Sequence, residues 1–288
     1  MTTRTMRIVA CGALGDALLT TPAFRALKEQ DPSRRVVVYC TSRGQYELYL
    51  HNPYVDRLVR PGPMNRYERW ILTSMRRTKL WHDGYGALMP SMFCSIPATE
   101  IIGNLLGVRL RDNQLQVFLT PEEEEEGRRL LAPCEMPVAI HLTSRFSANQ
   151  HWPIEKWREL VRRNPRYTFV QLGLSDEAPV AGAFDLRGQL SVRTALAVLK
   201  HSRSFVGVVS FFSHASNAVG TRGVVLFGPS TTVVWGHQNN INLELGLPCA
   251  PCVDLLQNMR CPYGAPCMSD ISVDRVEHAL TIQLAVTS

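Results

Sequence analysis

The sequence has no long hydrophobic run that is free of polar residues. Its longest stretch without Asp, Glu, Lys or Arg is 223–243, and that stretch contains Gln238 and three asparagines, which hydrocarbon does not accept without partners. A transmembrane helix is therefore not predicted. The apolar run after Arg7 is interrupted by Asp16 and lacks a small-residue cleavage site, so it predicts a first β-strand rather than a signal peptide. We expect a cytoplasmic protein.

The sequence also lacks a cluster of basic residues, although its net charge is +6 and its pI is about 9.0. The Lys and Arg residues are dispersed, and no aromatic stripe lies between them, which argues against nucleic acid as a partner. The charge favours anionic partners such as nucleotides or phosphorylated glycans. It would also suit peripheral contact with the inner-leaflet surface of a membrane. Charged residues make up only 19% and hydrophobic residues 45%, which excludes a largely disordered chain.

What is present is an alternation of short apolar runs with amphipathic segments, in a chain of 288 residues that is long enough for two domains. Continuous apolar runs are typical of parallel strands covered on both faces, and their alternation with helices predicts α/β domains with doubly wound parallel sheets. The predicted strands are Arg7–Cys11, Arg35–Cys40, Tyr85–Met89, Val138–Leu142, Tyr167–Leu172, Phe205–Val209 and Val224–Phe227. The predicted helices are Asp16–Gln30, Glu122–Leu131, Ile154–Arg163 and Val192–His201.

A domain boundary is predicted near Ala132–Pro137. Thr120-Pro121-Glu122 has the composition of a helix start, with a capping hydroxyl, proline in the first turn and acids that face the positive helix end. Two prolines flank a short link after that helix. We expect an N-terminal domain of residues 1–133 and a C-terminal domain of residues 134–288, with a ligand cleft between them.

The turn after the first strand reads Gly12-Ala-Leu-Gly15-Asp16. Its glycines permit close approach of a ligand to the backbone, and the N–H groups that open the helix form an anion site. An NAD(P)-dependent oxidoreductase is poorly supported, because the spacing is not G-x-G-x-x-G and the second strand ends in Cys40-Thr-Ser-Arg43 without a ribose-binding acid. By position alone, Asp16 fits either a helix N-cap or a general base that faces the ligand.

Three loops in the second half follow predicted strands and contain residues suited to phosphate. They are His141-Leu-Thr143-Ser144-Arg145, Ser210-Phe-Phe-Ser213-His214 and Phe227-Gly228-Pro229-Ser230-Thr231. Because each stands at the carboxyl end of a strand and offers hydroxyls or free N–H groups, together they predict a nucleotide-diphosphate pocket. His214 by itself also fits a structural histidine bonded to backbone.

The eight cysteines are unevenly distributed, and half of them fall within nineteen residues. Cys249, Cys252, Cys261 and Cys267 begin with a C-x-x-C turn and have enough thiolates for a tetrahedral site. We predict a structural zinc or iron ion there, without a catalytic role because four protein ligands leave no open position. The alternatives are unligated thiols or a disulfide.

Four motifs in order along the chain resemble glycosyltransferase family 9, the heptosyltransferases that add heptose to the lipopolysaccharide core. Gly15-Asp16-Ala-Leu-Leu-Thr20-Thr-Pro22-Ala23 resembles the family's G-D-x-L-x-T-x-P-A, and His151-Trp152-Pro153 with Trp157 resembles its H/R-W-P…W element. Asp185-Leu186-Arg-Gly188 with Leu196 and Leu199 resembles D-L-x-G…L…L. Ser213-His214-Ala215 through Gly220, followed by Leu226-Phe227-Gly228-Pro229-Ser230, resembles H-x-A-x-A-x-G…L-F-G-P-T.

The resemblance implies a GT-B fold of two Rossmann-like domains, with the donor held mainly by the C-terminal one. It implies inverting transfer of heptose from ADP-heptose to a glycan, glycolipid or other hydroxyl acceptor without a catalytic metal, and Asp16 matches the family's acid that deprotonates the acceptor. Glu177 would approach the ribose. The donor-binding residues so implied are Gly15, Thr143, Ser144, Arg145, Gln150, Gly173, Glu177, Ser210, Phe211, Phe212, Ser213, His214, Gly228 and Pro229.

Two positions depart from the family pattern. Gln150 stands where the family usually has a lysine near the donor phosphates, and a neutral amide cannot offset phosphate charge. Val209-Ser210-Phe211 stands where the family has D-S/T-G, so an aspartate is missing and a bulky ring replaces glycine. A transferase for another nucleotide sugar and a non-catalytic nucleotide-sugar-binding paralogue therefore stay as alternatives.

The acceptor is not specified by the sequence. Arginines of the N-terminal half would suit phosphate or carboxylate groups, and each is equally compatible with a solvated surface; they are Arg57, Arg60, Arg66, Arg76 and Arg77.

Overall fold

The valine- and isoleucine-rich runs of the first half form a parallel sheet. The computed structural model describes residues 5–10, 12–62, 79–80, 94–253, 255–256 and 259–286. Its first sheet has the strand order β3-β2-β1-β4, with β1 Thr5–Ala10, β2 Arg35–Cys40, β3 Arg57–Val59 and β4 Lys79–Leu80. β1 and β2 pair from Thr5 opposite Arg35 to Ala10 opposite Cys40. The predicted strand Tyr85–Met89 lies outside the described residues.

The predicted helix Asp16–Gln30 is two helices, α1 (Leu14–Leu19) and α2 (Thr21–Gln30). Pro22 has no N–H to donate to the Leu18 carbonyl oxygen, so a continuous helix would lose that bond. The Thr21 hydroxyl donates to the same carbonyl oxygen at 2.7 Å instead. The part of the chain that forms the first sheet also contains α3 (Arg43–Tyr49) and α4 (Ala98–Leu106).

The second sheet is parallel, six-stranded and ordered β10-β9-β8-β5-β6-β7. Its strands are β5 Val138–His141, β6 Phe169–Gln171, β7 Phe184–Asp185, β8 Ser204–Val208, β9 Gly223–Leu226 and β10 Ile241–Leu243. The four strands predicted in this half are confirmed, though shorter or shifted by a residue or two. The strand order reverses between β5 and β8, and in open α/β sheets such a switch point is where ligands bind, beyond the carboxyl ends of the strands.

The helices of the second unit cover a core built on this sheet. They are α5 Pro121–Leu131, α6 Ile154–Arg163, α7 Val192–His201, α8 Phe211–Ala218, α9 Thr232–Trp235, α10 Pro266–Ser269 and α11 Val273–Val286. Trp157 is fully buried, and its ring meets the Trp152 ring edge to face at 5.0 Å between centroids. None of the helices in the described residues has the length and apolarity needed to cross a bilayer.

The division between the compact units falls between Phe118 and Leu119 rather than at the predicted position after residue 133. Helix α5 belongs to the second unit because it packs tightly on α7. A Cβ at Gly127 would lie 2.7 Å from backbone and side-chain carbons of Ala197. Arg193 on α7 also pairs with Glu123 on α5. The proline-rich link therefore lies inside a unit, because a tertiary contact decides where α5 belongs.

Candidate active site

Asp16 lies at the third position of α1, directly beyond the carboxyl end of β1. Its carboxylate Oδ2 accepts a hydrogen bond from the Ala13 N–H at 2.7 Å, which satisfies one of the free donors at the helix start. The Thr20 hydroxyl donates to the Asp16 carbonyl oxygen at 3.1 Å. Asp16 is half-buried. The side chain thus serves as a cap, and its carboxylate is presented at the strand end where a base is predicted.

Gly12 shapes the turn that presents Asp16. Its φ is +76°, a left-handed conformation that L side chains rarely adopt. A Cβ at this position would lie 2.3 Å from Asp16 Oδ2. Glycine is therefore required both by the backbone angle and by the carboxylate that packs over it.

Gln45, which the sequence reasoning missed, ties this turn to the end of β2. Its side chain is fully buried, and Nε2 donates to the Gly12 carbonyl oxygen at 2.9 Å. Its Oε1 accepts from the Thr41 N–H at 2.8 Å and from the Ser42 N–H at 3.3 Å. The signal that would have found it is the capping-box pattern Ser42-x-x-Gln45 at the start of α3.

His141 is the central side chain at the switch point of the second sheet. It ends β5, is 6% exposed, and lies between two loops. Its Nδ1 is 3.0 Å from Ser210 Oγ, at the start of α8, and its Nε2 is 3.4 Å from Glu177 Oε1, in the loop after β6. The Phe212 ring packs on the imidazole at 4.5 Å between centroids. His141, Ser210, Phe212 and Glu177 therefore meet at one point beyond the carboxyl ends of β5, β6 and β8.

Glu177 is held as a carboxylate in spite of its burial. Burial by itself would raise its pKa, but the His141 imidazole and the Leu174 N–H, which donates to Oε1 at 3.0 Å, hold the pKa below the ordinary value for glutamate. Oε2 is buried and has no hydrogen-bond partner among the described residues. Gly173, at φ +137°, is the close neighbour of this group, since a Cβ there would lie 2.6 Å from Oε2. A buried acceptor without a partner suits a ligand hydroxyl.

The N-terminus of α8 presents the second cluster of predicted residues. The Ser210 N–H donates to Ser213 Oγ at 3.1 Å, and the Ser213 hydroxyl donates to the Ser210 carbonyl oxygen at 2.8 Å. The half-buried rings of Phe211 and Phe212 lie 5.1 Å apart between centroids. The positive end of a helix dipole and its free N–H groups favour an anion at this position.

His214 is buried within the same helix and is paired with His237. Their Nδ1 and Nε2 atoms are 2.8 Å apart. Burial, and then the neighbouring His237, hold the pKa of His214 well below the ordinary value, and burial lowers the pKa of His237 to about 4. Both rings are therefore neutral, and one donates to the other. His214 is thus held by a side chain, whereas the sequence suggested backbone; no local signal points to His237.

Gln150 does not stand free at the pocket, because both ends of its buried amide are occupied. The Ser144 hydroxyl donates to its Oε1 at 2.8 Å, and its Nε2 donates to Ser230 Oγ at 2.7 Å. Gln150 therefore links the loop after β5 to the loop after β9. Arg145 is exposed and pairs with Asp176 at 3.2 Å. Thr143 lines a surface pocket with His151 and other residues.

Gly228 and Pro229 are covered by the cysteine-rich segment. A Cβ at Gly228 would lie 2.4 Å from Met268 Cγ. The Pro229 carbonyl oxygen accepts from the Cys252 N–H at 2.9 Å and from the Val253 N–H at 3.0 Å. Gly15, likewise predicted to bind donor, is buried in α1. Gly228 and Pro229 thus shape the turn under this segment, and Gly15 is part of a buried helix turn.

The four clustered cysteines form no disulfide with one another, and the charges of neighbouring thiols act on Cys252 and Cys267. Burial, and then the charges of Cys249 and Cys261, raise the pKa of Cys252; burial, followed by Cys252, raises the pKa of Cys267 to about 11. Within the described part of the chain, no three His, Cys, Asp or Glu side chains are arranged as a metal-binding group. The predicted metal site is therefore not confirmed by the geometry, although the donor set is suitable.

Of the arginines considered for the acceptor, only Arg57 and Arg60 fall in the described residues. The Arg60 guanidinium lies over the Tyr46 ring at 4.9 Å from its centroid. Arg66, Arg76 and Arg77 lie outside the described residues.

The sequence model of glycosyltransferase family 9 (heptosyltransferase) matches residues 106–262, which is more than half of the chain. The chain belongs to glycosyltransferase family 9. It is thus a glycosyltransferase, as the motifs predicted. No curated protein matches it in sequence.

Solved structures of similar glycosyltransferases share the fold of this chain at low identity. A family 9 glycosyl transferase from Veillonella parvula has a TM-score of 0.74 at 14% identity, covering 98% of this chain and 97% of that one. ADP-heptose lipopolysaccharide heptosyltransferase II of E. coli has a TM-score of 0.74 at 14% identity, covering 99% of both chains. The iron-containing dodecameric glycosyltransferase TibC from enterotoxigenic E. coli has a TM-score of 0.76 at 17% identity, covering 99% of this chain and 77% of that one. These likenesses confirm the predicted GT-B fold of two Rossmann-like units.

Proposed function

We propose that this family 9 glycosyltransferase transfers heptose, or a related sugar, from an ADP-linked donor to a hydroxyl group of a glycan, glycolipid or other acceptor. The observation that carries the proposal is the meeting of Ser210, His141 and Glu177 at the switch point of the second sheet. Solved relatives are described as an ADP-heptose heptosyltransferase and as a heptosyltransferase with ADP. We assign the donor to the second unit and the acceptor to the first.

The donor diphosphate is proposed to bind at the N-terminus of α8. The backbone N–H groups that open the helix and the Ser210 hydroxyl supply donors, and the helix dipole stabilises the charge that leaves with ADP. The buried Oε2 of Glu177 is an acceptor suited to a ribose hydroxyl. The proposed diphosphate site at Ser210 and the proposed ribose site at Glu177 lie on either side of His141, which contacts both residues at the carboxyl edge of the sheet.

Asp16 is proposed as the general base. Its carboxylate takes the proton of the acceptor hydroxyl as that oxygen attacks the anomeric carbon, and the bond to the diphosphate oxygen breaks on the opposite face of the sugar, which inverts the configuration. The Ala13 N–H holds one carboxylate oxygen at 2.7 Å. The base is thereby oriented by its own helix start.

Asp16→Asn tests this role without removing the cap, since the amide oxygen still accepts from Ala13. We expect transfer to fall about 10²–10⁴-fold, while the melting temperature and its shift with ADP are retained. Asp31→Asn, in the same unit and bonded only to its own turn, is the matched control. Equal turnover by Asp16→Asn and wild type would refute the assignment.

A transferase for a different nucleotide sugar is the second candidate, and one observation favours it. Gln150 replaces the family's lysine, and its neutral amide, which bonds to Ser144 and Ser230, brings no charge to the phosphates. Mass spectrometry of reactions with ADP-, UDP- and GDP-sugars, on lipopolysaccharide core, small glycosides and serine-containing protein acceptors, separates the candidates. Product formed only from a non-adenine donor would replace the first proposal.

The cysteine segment is proposed to hold one structural ion. Cys249, Cys252, Cys261 and Cys267 would bind it as thiolates, because a cation offsets the burial and the neighbouring thiolate charges that raise the pKa values of Cys252 and Cys267. The ion would cross-link the segment that covers Gly228 and Pro229. One solved relative is described as iron-containing.

A further inference from the structure

The two ring nitrogens of His141 have different partners, and these fix where its protons lie. Glu177 is a carboxylate, so the Nε2 atom that faces Oε1 must carry a hydrogen. In a neutral imidazole the other nitrogen, Nδ1, is then an acceptor. With the ring in this neutral form, the Ser210 hydroxyl, 3.0 Å from Nδ1, donates to it.

In this arrangement the Ser210 hydroxyl hydrogen is not directed toward an anion at the helix start. With its only hydrogen directed at His141, Ser210 Oγ presents lone pairs to the helix start, where the proposed function places the diphosphate. A second proton on the ring reverses the bond, because both nitrogens then donate and the Ser210 hydrogen is released toward the ligand. The imidazolium also brings positive charge to a site where Gln150 brings none.

The surroundings of the ring allow such a change. Among the described residues, Glu177 is the charged group in contact with the imidazole, and it is favourable to a protonated ring. Arg187 donates to the Glu177 carbonyl oxygen, and its guanidinium forms an ion pair with Asp185 at 2.7 Å between Nη2 and Oδ2. The contacts from α8 are Ser210 and Phe212, neither of which carries charge, and β8 lies alongside with Gly207 opposite His141.

We propose that binding of a nucleotide diphosphate at the α8 N-terminus is coupled to uptake of one proton from solvent by His141, which frees the Ser210 hydroxyl to donate to the ligand. One N–H bond forms at Nδ1, and no other covalent bond changes. His141 is thus a positioning residue that acts through Ser210. The inference rests on the proposed function, since it requires a diphosphate at this helix.

Calorimetry with ADP-ribose tests the coupling, because the two phosphates of this diester do not titrate near neutral pH. Binding to the full chain is measured at one pH in buffers of different ionisation enthalpy, and the slope of the heat gives the protons exchanged. We expect uptake of about one proton per molecule bound by wild type. His141→Gln and Ser210→Ala should take up none, and Ser210→Ala should bind roughly tenfold more weakly.

His278→Gln, which alters an exposed histidine on α11, is the matched control and should keep the wild-type uptake. Thermal unfolding shows whether His141→Gln is folded, and Ser210→Ala provides a second test if it is not. Binding by wild type without buffer dependence, or with the same uptake in Ser210→Ala, would overturn the inference alone. An absence of binding to ADP-ribose, UDP-glucose and GDP-mannose would overturn the proposed donor class together with it.

Discussion

Gly12 and Asp16 are in such close contact that a single methyl group on residue 12 would occupy the space of the Asp16 carboxylate. The distance from that Cβ to Oδ2 would be 2.3 Å, and the φ of Gly12 is +76°. The turn after β1 is thus built around the position of one carboxylate. This contact links the conformation of the backbone directly to the group proposed as base.

Gly12→Ala should therefore reduce transfer by displacing Asp16. The left-handed backbone costs roughly 1 kcal/mol of stability for alanine, and the carboxylate must move as well. Gly107→Ala is the matched control, because Gly107 has φ +71° but open space around its Cβ. Both variants should lose stability in chemical denaturation, Gly12→Ala by more because the Asp16 carboxylate is displaced, and only Gly12→Ala should lose activity in a transfer assay. Equal loss of activity in both would count against the contact.

Gln45→Leu should weaken the same site from a distance. The buried amide serves the Gly12 carbonyl oxygen and the N–H groups of Thr41 and Ser42. Their loss of partners should lower the free energy of unfolding by about 1–3 kcal/mol and reduce kcat. Gln30→Leu, at an exposed glutamine in the same unit, should change neither quantity. Wild-type kcat in a folded Gln45→Leu protein would show that the turn holds Asp16 without this anchor.

The buried pair His214 and His237 should make the protein less stable in mild acid. Their native pKa values lie below the ordinary value near 6.5, that of His237 at about 4, so the unfolded chain binds more protons than the native state between these limits. The contribution of the neutral histidine pair to the free energy of unfolding is fully present above pH ~6.5 and is lost as the pH falls toward 4. The loss is up to about 1.4 kcal/mol per pH unit for each histidine.

Urea denaturation of wild type and His237→Gln at pH 7.0 and 5.5 measures this effect; the variant should show a shallower loss. His278→Gln should follow wild type, since that side chain is exposed. A pH dependence unchanged in His237→Gln would show that the pair is not the source.

Metal analysis of the purified protein tests the cysteine segment. We expect about one zinc or iron ion per chain, lost in Cys252→Ser together with a lower melting temperature. Cys134→Ser, outside the cluster, should retain the ion. A metal-free wild-type protein whose melting temperature does not respond to added zinc or iron would refute the site.

Much of the fold was predictable because its signals are local. The apolar runs at β2, β5, β8 and β9 stand in the sequence itself, and so does the helix start at Thr120. The amphipathic pattern predicts one helix across the break between α1 and α2, because it continues on both sides of Pro22. Pro22 itself is the local signal of the break. The boundary was misplaced because proline content is a weaker determinant than the packing of Gly127 on Ala197.

The sequence by itself determined the parallel α/β sheets, the caps and the turn at Gly12, because these depend on residues within a few positions of one another. Only the tertiary structure decided which polar groups meet. His141 and Ser210 are 69 residues apart and His141 and Glu177 are 36 apart, and strand order alone brings them together. The use of Gln150 as a link to Ser230, across 80 residues, has the same origin. Hydrogen bonds between loops depend on which strands are neighbours, and that choice is made by the packing of the whole sheet.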